Sequence, residues 1–183
     1  MATKKVAPNW SDVKAKLGDF DRAALIGLVH DLYAASKNNQ TFLHARFALG
    51  DVLKPYNATI DRWLWPDVVK HQDTSVAKAK KAISDYKKAI GQPEGLAELM
   101  VFYCELAAGF SNDVGLQDEG YCDALVRMFG QALKTIDALP HHFRSALTAR
   151  LDAVRNISHN CGYGVGDDMD DLFAEFGFDG RSR

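Results

Sequence analysis

Apolar side chains recur every three or four positions through most of the chain, the period of an α-helix seen from one side. DFDRAALIGLVHDLYAAS places Leu25, Leu28, Val29, Leu32 and Tyr33 on one face, and Asp19 or Asp21 stands where a helix cap is needed. NNQTFLHARFAL follows after a short polar link, with Asn38 or Asn39 as its cap and Phe42, Leu43 and Phe47 expected inward. Such a short link predicts an antiparallel hairpin of these two helices. In GDVLKPYNATIDRWLWP, Pro55 forces a start or a kink near Lys54, and Tyr56, Ile60 and Leu64 share a face. Pro66 then favours an extended Trp65 and ends the helix.

DTSVAKAKKAISDYKKAIG gives a clean stripe of Val76, Ala79, Ile83, Tyr86 and Ile90, with Thr74 or Ser75 as cap and Gly91 as stop. Pro93 suits the first turn of the next helix, PEGLAELMVFYCELAAGF. That segment is apolar on several faces, so it belongs at the centre. A loop, SNDVGLQDEG, is expected after it, with Asn112 and Asp113 finishing a turn. YCDALVRMFGQALKTIDAL and PHHFRSALTARLDAVRNISHN are two further helices divided by Pro140. DDMDDLFAEF makes a last short one, with Met169, Leu172, Phe173 and Phe176 inward.

No segment alternates as a half-buried strand would. The expected fold is all-α: about eight helices as stacked antiparallel pairs, either a bundle or a short solenoid-like curl. No fixed repeat is evident. Residues 1–183 read as a single helical domain, with the weakest joint near residues 65–75.

Composition changes little in this reading. Of 183 residues, 47% are hydrophobic and 25% charged, and the net charge of −2 gives no global attraction to nucleic acid or membrane. MATKKVAPNW lacks the apolar stretch of a secretory signal, and no run approaches a membrane span. Cys104, Cys122 and Cys161 are odd in number and far apart, as expected of reduced cytosolic thiols. The expected location is cytoplasmic.

AALIGLVHDLYAASKNNQTFLHARF, SVAKAKKAISDYKKAIGQPEGLAELMVFYCELAAGFSND and GYGVGDDMDDLFAEF, in that order, resemble an uncharacterised bacterial all-helical family, a domain of unknown function. The resemblance covers nearly the whole chain, from about residue 10 to 177. It implies a helical cytoplasmic bacterial protein. It implies no activity and no catalytic residue.

Four chemistries need weighing. The turn HNCGYGVGDD has Gly162, Gly164 and Gly166 at alternate positions, which is not the dinucleotide spacing, and no strand precedes it. Its aspartates would repel a phosphate but suit a helix start. The expectation is therefore a turn, with Gly162 ending one helix in a left-handed conformation and Asp167 or Asp168 capping the next. For a metal, Asp113 and Asp167 are the candidate oxygen ligands, without the paired spacing of a zinc site or the order of a calcium loop.

For RNA cleavage or related hydrolysis, Arg155 and His159 lie four apart and share a helix face. Histidine would act as general base and arginine would stabilise a phosphorane. For binding without catalysis, Lys80, Lys81, Lys87 and Lys88 line the outer side of one helix, and the basic 70–88 segment offers a nucleic-acid contact. Trp63 and Trp65, if exposed, would anchor a protein partner. The leading expectation is a cytoplasmic helical adaptor or macromolecule-binding protein, without catalysis or cofactor and with a protein partner. The alternative is a small nuclease-like or metal-assisted hydrolase using the C-terminal His, Arg and Asp residues.

Overall fold

The computed structural model describes residues 7–178. Among them there is no strand; nine α-helices and one short 3-10 turn account for the regular structure. The helices are α1 (Trp10–Leu17), α2 (Arg22–Ala35), α3 (Lys37–Arg46), α4 (Lys54–Leu64), α5 (Val76–Ala89), α6 (Pro93–Val114), α7 (Glu119–Asp137), α8 (His141–Ser158) and α9 (Val165–Glu175), with the 3-10 turn at Val68–Lys70. The all-α class is as the apolar periodicity predicts.

The chain divides into two units, residues 1–43 and 44–183. The division does not fall near 65–75. There, Asp67 accepts hydrogen bonds from the Val69 and Lys70 amides, and Ser75 N–H donates to Trp63 O at 2.9 Å. Tyr121 O–H donates to Leu64 O at 2.9 Å, tying the same stretch to α7.

In the first unit local signals form each helix. Asn9 caps α1 in a reciprocal box with Asp12, a helix the apolar pattern alone does not predict. Asp21 caps α2 by accepting from Ala24 N–H at 2.7 Å. Asn39 Nδ2 donates to Leu32 O and Gln40 Nε2 to Tyr33 O, holding the α2–α3 corner. Neither α1 nor α2 buries a residue. The expected inward face is corrected accordingly: Leu25, Val29 and Leu32 are 39–50% exposed and Phe42 is 44% exposed, while Leu28 and Tyr33 are half-buried.

The second unit is built around α6, which packs against α4, α5, α7 and α8; α9 closes on α7 and α8. Leu99, Tyr103, Cys104 and Ala108 on α6 are fully buried, as expected of a helix apolar on several faces. Two glycines let large rings reach it. A Cβ at Gly95 would lie 2.0 Å from the Tyr86 hydroxyl, and one at Gly109 would lie 2.6 Å from the Trp65 ring. Tyr56, Ile60 and Leu64 bury the predicted face of α4. Phe47, expected inward, is instead 66% exposed.

Two local expectations also change. α6 continues through Asn112 and Asp113 to a left-handed Gly115, so these residues are helical and the following loop is short. At the glycine turn, Tyr163 and Gly164 have positive φ, whereas Gly162 does not, and Gly164 occupies the cap position of α9 with Asp167 and Asp168 in the first turn.

Candidate functional site

The C-terminal polar residues meet at the seam of α8 and α9. Asp152, Arg155 and His159 follow one another at three- and four-residue steps, so they line one face of α8. The glycine turn folds α9 back, bringing Asp167 and Asp170 opposite them. Arg155 donates from Nε and Nη2 to Asp152 Oδ1 at 3.0 and 2.7 Å, and from Nη1 to Asp170 Oδ1. His159 Nε2 lies 3.3 Å from Asp170 Oδ2, and its Nδ1 lies 4.0 Å from Asp167 Oδ1. A Cβ at Gly166 would stand 2.4 Å from His159 Nδ1, so only glycine lets the ring lie against the start of α9.

Electrostatics follow the pairing. The hydrogen bond from Arg155 holds Asp170 below the usual carboxylate range, with the Arg155 charge adding to it. Arg155 is pushed up by its bonds to Asp152 and then Asp170. The guanidinium also lies over the Phe173 ring, 5.1 Å from its centroid. Three of its donors are thus spent on two carboxylates. The arrangement works first as a latch between helices, and little positive potential is left for a phosphorane.

Of the sequence-predicted residues, Arg155, His159 and Asp167 come together. Asp170, which completes the group, was visible only as one of four aspartates. Donor atoms of His159, Asp167 and Asp170 lie within 4.8 Å of one another, so these three could hold a metal ion. Asp113 is not a member of that group; it lies in the last turn of α6.

A groove of about 580 Å³ runs beside the latch. Its wall is the face of α8 from His141 to Arg155, and Phe173 and Phe178 close the far end. The hydroxyl of Thr148 in this groove is buried and makes no hydrogen bond among the described residues.

The other predicted residues stand apart from this seam. Trp63 is half-buried beneath two cations, with Lys78 Nζ 3.6 Å and Arg62 Cζ 4.5 Å from its ring centroid. Trp65 is 39% exposed, but its ring packs on Gly109 and edges onto Phe110 at 6.1 Å. On α5, Lys81 pairs with Asp85 at 2.5 Å, while Lys87 and Lys88 are exposed. Burial, then the charge of Arg127, lowers the pKa of Lys80.

Sequence reasoning missed one ionic cluster. Arg150 on α8 donates to Glu98 at 2.6 Å and bidentately to Glu105 at 2.7 and 2.8 Å, joining α8 to α6. The two glutamates are seven residues apart, two turns of one helix face, which was the available signal. Cys104 is buried, and burial pushes its thiol well up, so it is a packing residue and not a nucleophile. No helix among the described residues is long and apolar enough to cross a membrane. Comparison with family models, curated proteins and solved structures returns no match.

Proposed function

We propose that the chain is a cytoplasmic polypeptide-binding protein without catalytic machinery, and that α2 is its docking element. One observation carries this reading: α2 presents Leu25, Ile26, Val29 and Leu32, 39–60% exposed, in a unit whose helices α1 and α2 bury nothing. The unit, residues 1–43, stands at the lower size limit of an independent fold; below about 40 residues a fold ordinarily needs a disulfide, a metal or a partner surface. Its helices are also shorter than the roughly 12–15 residues at which an isolated helix becomes even marginal, or only just reach that length. Each aliphatic side chain taken fully out of water contributes about 1.5–3 kcal/mol, so a four-residue face supplies what the unit lacks.

The exposed stripe is aliphatic from Leu25 to Leu32, with Arg22 one turn before it on the same face and His30 and Asp31 pointing away from it. The fitting partner is an apolar helix or groove on another polypeptide. Unpaired thiols at Cys104, Cys122 and Cys161 support a reducing compartment. The bacterial helical family resembled by the sequence is part of this proposal and rests on the same three segments. The hydrolase reading is weaker because Arg155 is already neutralised by Asp152 and Asp170.

A photo-activated side chain at Val29, expressed in cells, tests the reading. The expected result is a saturable cross-link to another polypeptide, absent when the probe stands at Asp31, and lost with Leu25→Asp and Leu32→Asp. A cross-link only within the same chain, or equal yields at Val29 and Asp31, would overturn it.

A further inference from the structure

Charge is not spread evenly along the chain. α5 carries five lysines against one aspartate, whereas residues 92–183 hold seven basic residues against fifteen acidic ones. The helix buries Ala79, Ala82, Ile83, Tyr86 and Ala89, and that inward face turns the lysines out. Lys80 and Lys87 make one row and Lys81 and Lys88 a second, each spanning two turns, about 10.5 Å. The rows diverge by about 100° around the axis, and exposed Ala77 and Ser84 run between them. Lys80, Lys87 and Lys88 make no ion pair among the described residues. Lys81 is paired with Asp85, in an exposed i,i+4 pair that contributes little and exchanges readily for another anion. Exposed Arg46 donates Nη1 to Ala89 O at 3.4 Å, setting a further cation beside Lys87 and Lys88. A helix C-terminus carries only about half a negative charge, so its dipole does not account for three cations.

We infer that this face binds duplex DNA through its phosphates, with α5 lying in the major groove. That groove is about 12 Å wide and admits one α-helix. Two phosphate strands flank it, and the face offers a row of lysines to each. Ala77 and Ser84 are small, so the helix approaches closely, and neither makes the bidentate contacts that select a base. Binding is therefore independent of sequence. Other polyanions match the face less well. A membrane surface needs large apolar side chains among the lysines, and the exposed positions of α5 hold none. A single strand presents one line of phosphates and leaves a row unused. Duplex RNA has a major groove too narrow for side chains to enter. The inference uses only residues of the second unit and stands or falls apart from the α2 face.

The test is fluorescence anisotropy of the full chain with a labelled mixed-sequence DNA duplex of about 20 base pairs, two turns. A single strand of the same length and phosphatidylserine vesicles are the other probes. Four phosphate contacts at about 0.9 each predict that log K falls against log salt with a slope of about −4. Lys80→Gln with Lys87→Gln removes one row, and Lys81→Gln with Lys88→Gln removes the other. Each pair should weaken duplex binding at least about tenfold at about 50 mM salt and reduce the slope by about 2. Arginine at the same four positions should preserve the affinity, because the phosphates read charge. Circular dichroism and melting verify that the variants fold. Should the Lys80→Gln variant not fold, Lys87→Gln alone stands for its row. No binding of the duplex at about 50 mM salt, or glutamine variants that bind as tightly as the unaltered protein, would overturn the inference. So would a single strand or a vesicle bound as tightly as the duplex, or a loss confined to one row.

Discussion

Gly95 and Gly166 do work that no other residue could do at those places. Tyr86 is 1% exposed and meets Tyr56 edge-on at 5.4 Å, so its ring cannot retreat from a methyl group at position 95. Gly95→Ala should therefore destabilise the second unit by about 1–3 kcal/mol, read by urea unfolding, as overpacked sites do. Loss of less than about 0.5 kcal/mol would mean that the ring has room, since surface substitutions stay within that range. Gly166 was legible in sequence only as one of three glycines in a turn. Its role is to accept the His159 ring, and that depends on a through-space neighbour which spacing cannot reveal. The cysteines show the converse: an isolated Cys104 on an apolar helix already reads as a packing residue, and it is one.

Helices were the most legible level. Asp21, Ser75 and Asp118 stand as caps, each accepting from a backbone N–H three residues on. Tyr56, Ile60 and Leu64, or Met169 and Phe173, bury the faces their periodicity assigns. The pairing of helices was less legible, because ion pairs such as Arg150 with Glu98 and Glu105 join segments about 50 residues apart. Replacing Arg150 by Ala leaves those two glutamates facing each other without their cation. A loss of about 1–2 kcal/mol is expected, discounted for their partial exposure, and it should shrink in high salt. The α8–α9 latch gives a pH prediction. Asp170 is held low by Arg155, so its contribution is present above the unfolded carboxylate value of about 3.9 and is lost as pH falls through the folded value. The melting temperature of Asp170→Asn should lie below that of the unaltered protein at pH 6, and the gap should narrow as pH falls below the unfolded carboxylate value. A gap that does not narrow on acidification would assign the stability to something other than this carboxylate.

Across the molecule, the all-α architecture was readable and the division of the chain was not. Periodicity tells which face of a helix is apolar, but it cannot tell what covers that face. Leu25, Val29 and Leu32 look the same in sequence whether they close a core or wait for a partner. The 65–75 stretch looked like a joint because Pro66 breaks a helix there, yet bonds from Ser75 to Trp63 and from Tyr121 to Leu64 hold it within one unit. The boundary at Leu43 and His44 has no proline, glycine or charge run to mark it.

The claim on which the function rests is that α2 is uncovered in the free protein. Amide hydrogen exchange measures this directly. An uncovered α2 opens locally, so its amides should exchange within about two orders of magnitude of the free-peptide rate, an opening free energy of at most about 3 kcal/mol. Amides of α6 and α7, in the buried core, should open only with global unfolding, at about 5–15 kcal/mol. Protection of α2 equal to that of α6 in the free monomer would mean that its apolar face is already covered within the chain, and would contradict the account.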